Sequence, residues 1–108
     1  MLEMSYYGNY SKSEFESLPL ILQRFLSYTQ YDTTSDPQSP DFPSTKAQLA
    51  YAALLEKEFQ SAGVRETRVT PFGIVYGWIE ATKGYENAPA LGLIAHMDTC
   101  LLYTSDAA

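Results

Sequence analysis

The sequence has little of what most metal, redox and nucleophile sites are built from: its 108 residues hold one cysteine, Cys100, and one histidine, His96. A lone cysteine excludes an internal disulfide and a cysteine-based zinc cluster, and it fits a reducing compartment. Basic residues are also scarce, seven against thirteen acids for a formal net charge of -6, and they form no run. Neither a nucleic-acid backbone nor an anionic membrane surface is therefore an expected partner. No apolar run approaches membrane-spanning length, and the opening "MLEMSYYGNYSKSEFES" has neither a basic n-region nor an apolar h-region, so the expected location is cytoplasmic. Also missing is a Gly-x-Ser-x-Gly elbow, which argues against a Ser-His-Asp hydrolase, and a two-histidine helix motif for zinc.

What is present is an ordinary globular composition, 45% hydrophobic and 19% charged, in a chain long enough for one domain at most. Residues 1–17, rich in Tyr and Ser, read as a poorly ordered extension or a short helical turn capped at Ser13 with Glu16. Either Met1 or Met4 could be the start. Leu18, Ile21, Leu22, Phe25 and Leu26 then form the stripe of an amphipathic helix ending near Gln30, with Pro19 tolerated in the first turn. Three prolines among the polar residues of Tyr31 to Pro43 predict an irregular loop. A second helix follows, with Thr45 and Gln48 as a capping box, Tyr51, Leu55, Phe59 and Ala62 as its stripe, and Gly63 as its end.

Beyond Gly63 the period becomes extended. "RETRVT" and "IVYGWIEA" flank Pro71, Phe72 and Gly73 as a hairpin or tight turn. Ile74, Tyr76 and Trp78 share one face and Val75 and Ile79 the other, which predicts a strand covered on both sides. "LGLIA" reads as a third strand. The order helix, helix, strand, strand, strand predicts an α/β layered fold, a mixed sheet flanked by helices.

The stretch "LGLIAHMDTC" carries the most chemistry. Side chains alternate along an extended chain, so His96 and Asp98 point to one side, at the carboxyl end of a strand where α/β sheets commonly bind ligands. A neutral imidazole is a good zinc ligand when an acceptor holds its second nitrogen, and Asp98 can be that acceptor. A hydrogen-bonded structural histidine satisfies the same spacing, and zinc takes about three or four protein ligands. Spacing alone leaves both readings open.

"ILQRFLSYTQYDTTSD", "FPSTKAQ", "LEKEFQSAGV" and "LGLIAHMDT", in that order over roughly Leu20 to Thr99, resemble the N-terminal part of metallopeptidase family M20, and "PST" with Gln48 is most similar to its tripeptide aminopeptidases. The resemblance implies a zinc-peptidase fold, cytoplasmic location and tripeptide substrates. It further implies that His96 is a ligand to one of two zinc ions and that Asp98 is an active-site residue that orients and polarises it. The other metal ligands and the glutamate general base of that family have no counterpart here and are expected beyond Ala108, which would leave the chain as given inactive. After Thr99 the similarity stops, and "CLLYTSDAA", residues 100–108, resembles adapter read-through and is expected not to be native. Residues 18–99 are then the N-terminal portion of the catalytic domain. Two other classes stay open: another M20 hydrolase, a dipeptidase or amino-acid deacylase, and a binding module using some of the nine tyrosines. Tyr28 and Tyr51, on or beside helix stripes, are better explained as core, and Ser44 and Thr45 as helix caps than as nucleophiles.

Overall fold

The computed structural model describes residues 9–100, which fall into two compact units divided after Asp32. The first holds α1 (Lys12–Ser17) and α2 (Leu20–Tyr28). "SKSEFES" offers two overlapping Ser-x-x-Glu frames, and the earlier one is used. The Ser11 hydroxyl accepts the Glu14 N–H at 3.2 Å, and the Glu14 carboxylate accepts the Ser11 N–H at 2.8 Å. Ser13, expected as the cap, lies inside the helix instead. Starting earlier places Lys12 one turn before Glu16, at 3.9 Å, and leaves Phe15 buried. The rest of the expected N-terminal extension, residues 1–8, lies outside the described residues.

The Ser11 N–H, and after it the Ser11 hydroxyl, hold the Glu14 carboxyl below the usual glutamate range. A lowered folded-state value means that the cap contributes fully above the ordinary glutamate pKa and is lost as pH falls through the lowered one. The Ser11 amide proton, followed by NMR, is expected to titrate below the pH at which free glutamates do, and Glu14→Gln is expected to abolish that titration. A pH-independent Ser11 amide in the unmodified chain would contradict the capping box.

Pro19 stands at the N-cap of α2, where its missing N–H costs nothing and its carbonyl accepts the N–H groups of Leu22 and Gln23. The Gln23 side chain donates back to the carbonyls of Leu18, at 2.8 Å, and Glu16, at 3.2 Å, which fixes the angle between the two helices. Of the expected stripe, Leu18 and Leu26 are half-buried, whereas Ile21, Leu22 and Phe25 are exposed.

The second unit contains α3 (Lys46–Ser61), β1 (Glu66–Val69) and β2 (Val75–Trp78). Helix α3 begins after Thr45, as the sequence predicts, but without the predicted box. The Thr45 hydroxyl donates to the Thr34 carbonyl at 3.3 Å, and the Gln48 amide donates to the Ser44 hydroxyl at 3.2 Å. Its inner face is Gln48, Tyr51 and Ala52, the last fully buried, while Leu55 is half-buried and Phe59 and Ala62 are exposed. Gly63, at φ +87°, ends the helix in a Schellman motif: the Gly63 N–H reaches the Gln60 carbonyl and the Val64 N–H the Phe59 carbonyl.

Strands β1 and β2 form an antiparallel hairpin that pairs Glu66 with Trp78 and Val69 with Val75. Its loop closes through hydrogen bonds between Thr70 and Ile74 and between the Gly73 N–H and the Thr70 carbonyl, with Gly73 at φ +79° against Pro43 and Leu49. Thr67 and Gly77 lie on the face toward α3, where Thr67 accepts from the Gln60 amide and donates to the Glu56 carboxylate. On the other face Arg68 lies 5.1 Å over the Tyr76 ring, and Ile74, Tyr76 and Trp78 are exposed. The expectation of a strand covered on both faces is corrected accordingly: α3 covers one face only.

Gly77 lies tight against the end of α3 and the turn that follows it. A Cβ there would stand 2.9 Å from both Phe59 and Val64, the pair brought together by the Schellman turn. Forcing atoms into packed space costs about 1–3 kcal/mol. Gly77→Val in the complete protein is therefore expected to lower the melting temperature by several degrees, and an unchanged melting curve would contradict this close approach.

The expected third strand does not form. Residues 91–98 pair with no strand, Ile94 is 100% exposed, and only Thr99 makes a bridge, parallel to Thr34. An extended apolar run becomes a strand only when a neighbour accepts its backbone groups, and residues 91–98 pair with neither of the outer edges that the two-stranded hairpin leaves open. The observed order is thus helix, helix, helix, strand, strand: an α/β chain with a two-stranded antiparallel sheet in place of a three-stranded one. Among the described residues no helix is long and apolar enough to cross a membrane.

Candidate metal centre

Although residues 91–98 form no ladder, the alternation of an extended chain still brings the two predicted site residues together. The His96 Nδ1 lies 3.1 Å from the Asp98 Oδ1. With the Nδ1 proton donated to the carboxylate, the Nε2 carries the lone pair, and it has no hydrogen-bond partner among the described residues. The imidazole side chain is 81% exposed and the carboxylate 40%. A contact this open to water contributes little to stability. Its consequence is geometric: one tautomer is selected and one nitrogen is aimed outward.

The position of this pair is set from a distant part of the chain. Beside Asp98, the Thr99 N–H donates to the Thr33 carbonyl at 3.1 Å, and the Thr99 carbonyl accepts the Ser35 N–H at 3.0 Å. Thr33 is buried. The loop bearing it is held in turn to the start of α3, where the Ser44 hydroxyl accepts the Asp36 N–H at 2.8 Å. Within the segment read from the sequence as an irregular loop, Thr33, Thr34 and Ser35 therefore run beside Thr99, next to the candidate site. Pairing between residues this far apart leaves no periodic trace; the only sequence signal is the density of hydroxyl residues in "DTTSD" and "PST".

His96 suits zinc as one ligand: an exposed imidazole with its second nitrogen held by a carboxylate is the arrangement a histidine ligand commonly shows. It does not make a complete site, since no group of three or more His, Cys, Asp or Glu side chains that could hold a metal ion occurs among the described residues. Cys100 is exposed and free. An open apolar groove between β2 and the following segment, lined by Tyr76, Trp78, Tyr85, Pro89, Leu91 and Leu93 among others, includes neither His96 nor Asp98. Of the two tyrosines expected in the core, Tyr51 is buried and Tyr28 half-buried.

Comparison with known proteins gives a consistent result along the same stretch. The chain is 43% identical over 79 residues to peptidase T of Caldanaerobacter subterraneus subsp. tengcongensis, a match covering 73% of this chain and 19% of that protein. It is 38% identical over 79 residues to peptidase T of Halothermothrix orenii, with the same coverage. To peptidase T of a Geobacillus species it is 36% identical over 84 residues, which are 78% of this chain and 20% of the relative. The chain thus spans about a fifth of the length of the curated relatives it matches. No family model and no solved structure matches it.

Proposed function

From the premise that this chain is a fragment homologous to peptidase T, we propose that it is the N-terminal part of a zinc-dependent aminopeptidase of the metallopeptidase family M20. The complete protein removes the N-terminal residue from tripeptides in the cytoplasm. The observation that carries this reading to the site is the His96–Asp98 pair, joined through the Nδ1 at 3.1 Å, on an imidazole that is 81% exposed.

On this reading His96 is a ligand to one of two zinc ions. Bound zinc lowers the pKa of a water toward neutrality and polarises the scissile carbonyl. Asp98 keeps the proton on the Nδ1, so that the Nε2 is always the donor atom, and its charge makes the imidazole a stronger base toward a cation. The remaining ligands, and the glutamate that takes the proton from water and passes it to the leaving amine, are contributed by parts of the protein outside this chain. A single imidazole does not make a catalytic zinc site, which takes about three protein ligands. The 108-residue chain alone is accordingly expected to release no amino acid from a tripeptide. Chelator-sensitive cleavage by the purified chain, with host aminopeptidases excluded, would contradict that.

The test of the proposal uses the complete protein, assayed against a tripeptide, a dipeptide and an N-acyl amino acid, before and after chelation and with zinc restored. The expected result is loss of tripeptide cleavage on chelation and its return with zinc. Preference for the dipeptide or the acyl amino acid would move the protein to a different branch of the family. Cleavage untouched by chelation would refute the metallopeptidase reading.

A further inference from the structure

We propose that Ser44 is a positioning residue for the zinc site: through the Asp36 N–H it holds the Thr33–Ser35 segment against Thr99 and so fixes the extended segment that carries His96 and Asp98. The inference rests on the zinc reading of the preceding section and adds to it a residue far from the pair in sequence. Ser44 is half-buried, and its hydroxyl is the junction of the arrangement. It accepts the Asp36 N–H at 2.8 Å and the Gln48 amide at 3.2 Å. Gln48 is itself buried, on the first turn of α3, so the hydroxyl is anchored to a rigid helix. From Asp36 the chain runs back through Ser35, Thr34 and Thr33, and this short segment grips Thr99 on both sides, giving it a carbonyl at Thr33 and an N–H at Ser35. The Thr45 hydroxyl adds a second tie, to the Thr34 carbonyl at 3.3 Å.

Residues 91–98 have no ladder of their own. The hydrogen bonds of Thr99 are therefore what locate the backbone next to Asp98, and the clamp behind them determines where the His96–Asp98 pair stands relative to α3. An imidazole and a carboxylate can find each other locally wherever this segment lies. Ligands from elsewhere in the protein can converge on His96 only if its backbone is fixed, because a metal site tolerates displacements of only about half an ångström. Loss of the Ser44 hydroxyl should leave the pair intact and misplace it.

The experiment measures zinc affinity by competition with a chromophoric chelator, together with the melting temperature of the metal-free form, on the complete protein carrying Ser44→Ala, Ser44→Thr, Gln48→Met or His96→Ala. Losing one hydrogen bond in the clamp is expected to weaken zinc binding about 3- to 10-fold in Ser44→Ala. Ser44→Thr, which keeps the hydroxyl, is expected to restore it. Gln48→Met leaves the hydroxyl and removes only its anchor, and a smaller loss in the same direction is expected. A purely structural role would lower the metal-free melting temperature and leave the zinc affinity of the folded protein unchanged. Wild-type zinc affinity in Ser44→Ala and Gln48→Met, while His96→Ala loses a zinc ion, would overturn the positioning role and leave the zinc reading standing. Both zinc ions retained in His96→Ala would instead remove the reading on which the proposal rests, and the proposal with it. Should Ser44→Ala not fold, Gln48→Met decides.

Discussion

His96→Ala in the complete protein is expected to remove one of two zinc ions and, with it, tripeptide cleavage. The imidazole is the only one in the chain, and its Nε2 is exposed and held in one tautomer by Asp98. Among the described residues no group of three or more His, Cys, Asp or Glu side chains could hold a metal ion in its place. Changing a group that merely supports a ligand costs about 10- to 100-fold in metal affinity or activity, so removing the ligand itself should cost at least that. The exposure of the ring separates this outcome from a folding defect: a side chain 81% open to solvent contributes little packing. Zinc per chain and the melting temperature of the metal-free protein are the measurements. Unchanged zinc with retained activity would contradict the ligand assignment.

Asp98→Asn is expected to act differently, because on the proposed reading the carboxylate supports a ligand without being one. Asparagine keeps the shape, but it is neutral and its amide can present a donor where the imidazole needs an acceptor. The His96 ring is then free to flip or to take the other tautomer, and its basicity falls. Turnover should drop about 10- to 100-fold with most of the zinc retained at saturating metal. The signature is thus a fall in kcat that added zinc does not repair, against a loss of zinc itself in His96→Ala. Wild-type turnover in Asp98→Asn would mean that the carboxylate neither orients nor polarises the ring.

The parts of this chain that were legible in its sequence are those decided by neighbours. Helix α3 was readable because its start and its Gly63 end are local signals, and Gly63 indeed adopts the left-handed conformation that terminates it. The hairpin was readable from Pro71, Phe72 and Gly73 between two extended runs. The His96–Asp98 contact follows from alternation alone. Where two local frames competed, as in "SKSEFES", the expectation fell on Ser13, whereas Ser11 is the cap; the arrangement of Lys12, Phe15 and Glu16 goes with the earlier frame. At Thr45 the local rule gave way to a distant partner, the Thr34 carbonyl, which took the hydroxyl a capping box would have used.

The third strand and the covered sheet were misread for one physical reason. Apolar alternation reports which faces of a segment suit burial, not whether a partner is at hand to bury them. "LGLIA" and the outer face of β2 carry the pattern, yet Leu91, Leu93, Tyr76 and Trp78 stand exposed. The clamp from Ser44 to Thr99 was illegible for the complementary reason: its bonds to Thr99 join residues 64 to 66 positions apart, and no local pattern encodes their meeting.

The most direct measurement of the central claim is diffraction from crystals of the complete protein on both sides of the zinc absorption edge. The account predicts an anomalous peak at about 2.0–2.1 Å from the His96 Nε2, with the Nδ1 still bonded to Asp98. Zinc peaks that leave His96 unligated, or a protein that cleaves tripeptides with no zinc peak at all, would contradict it.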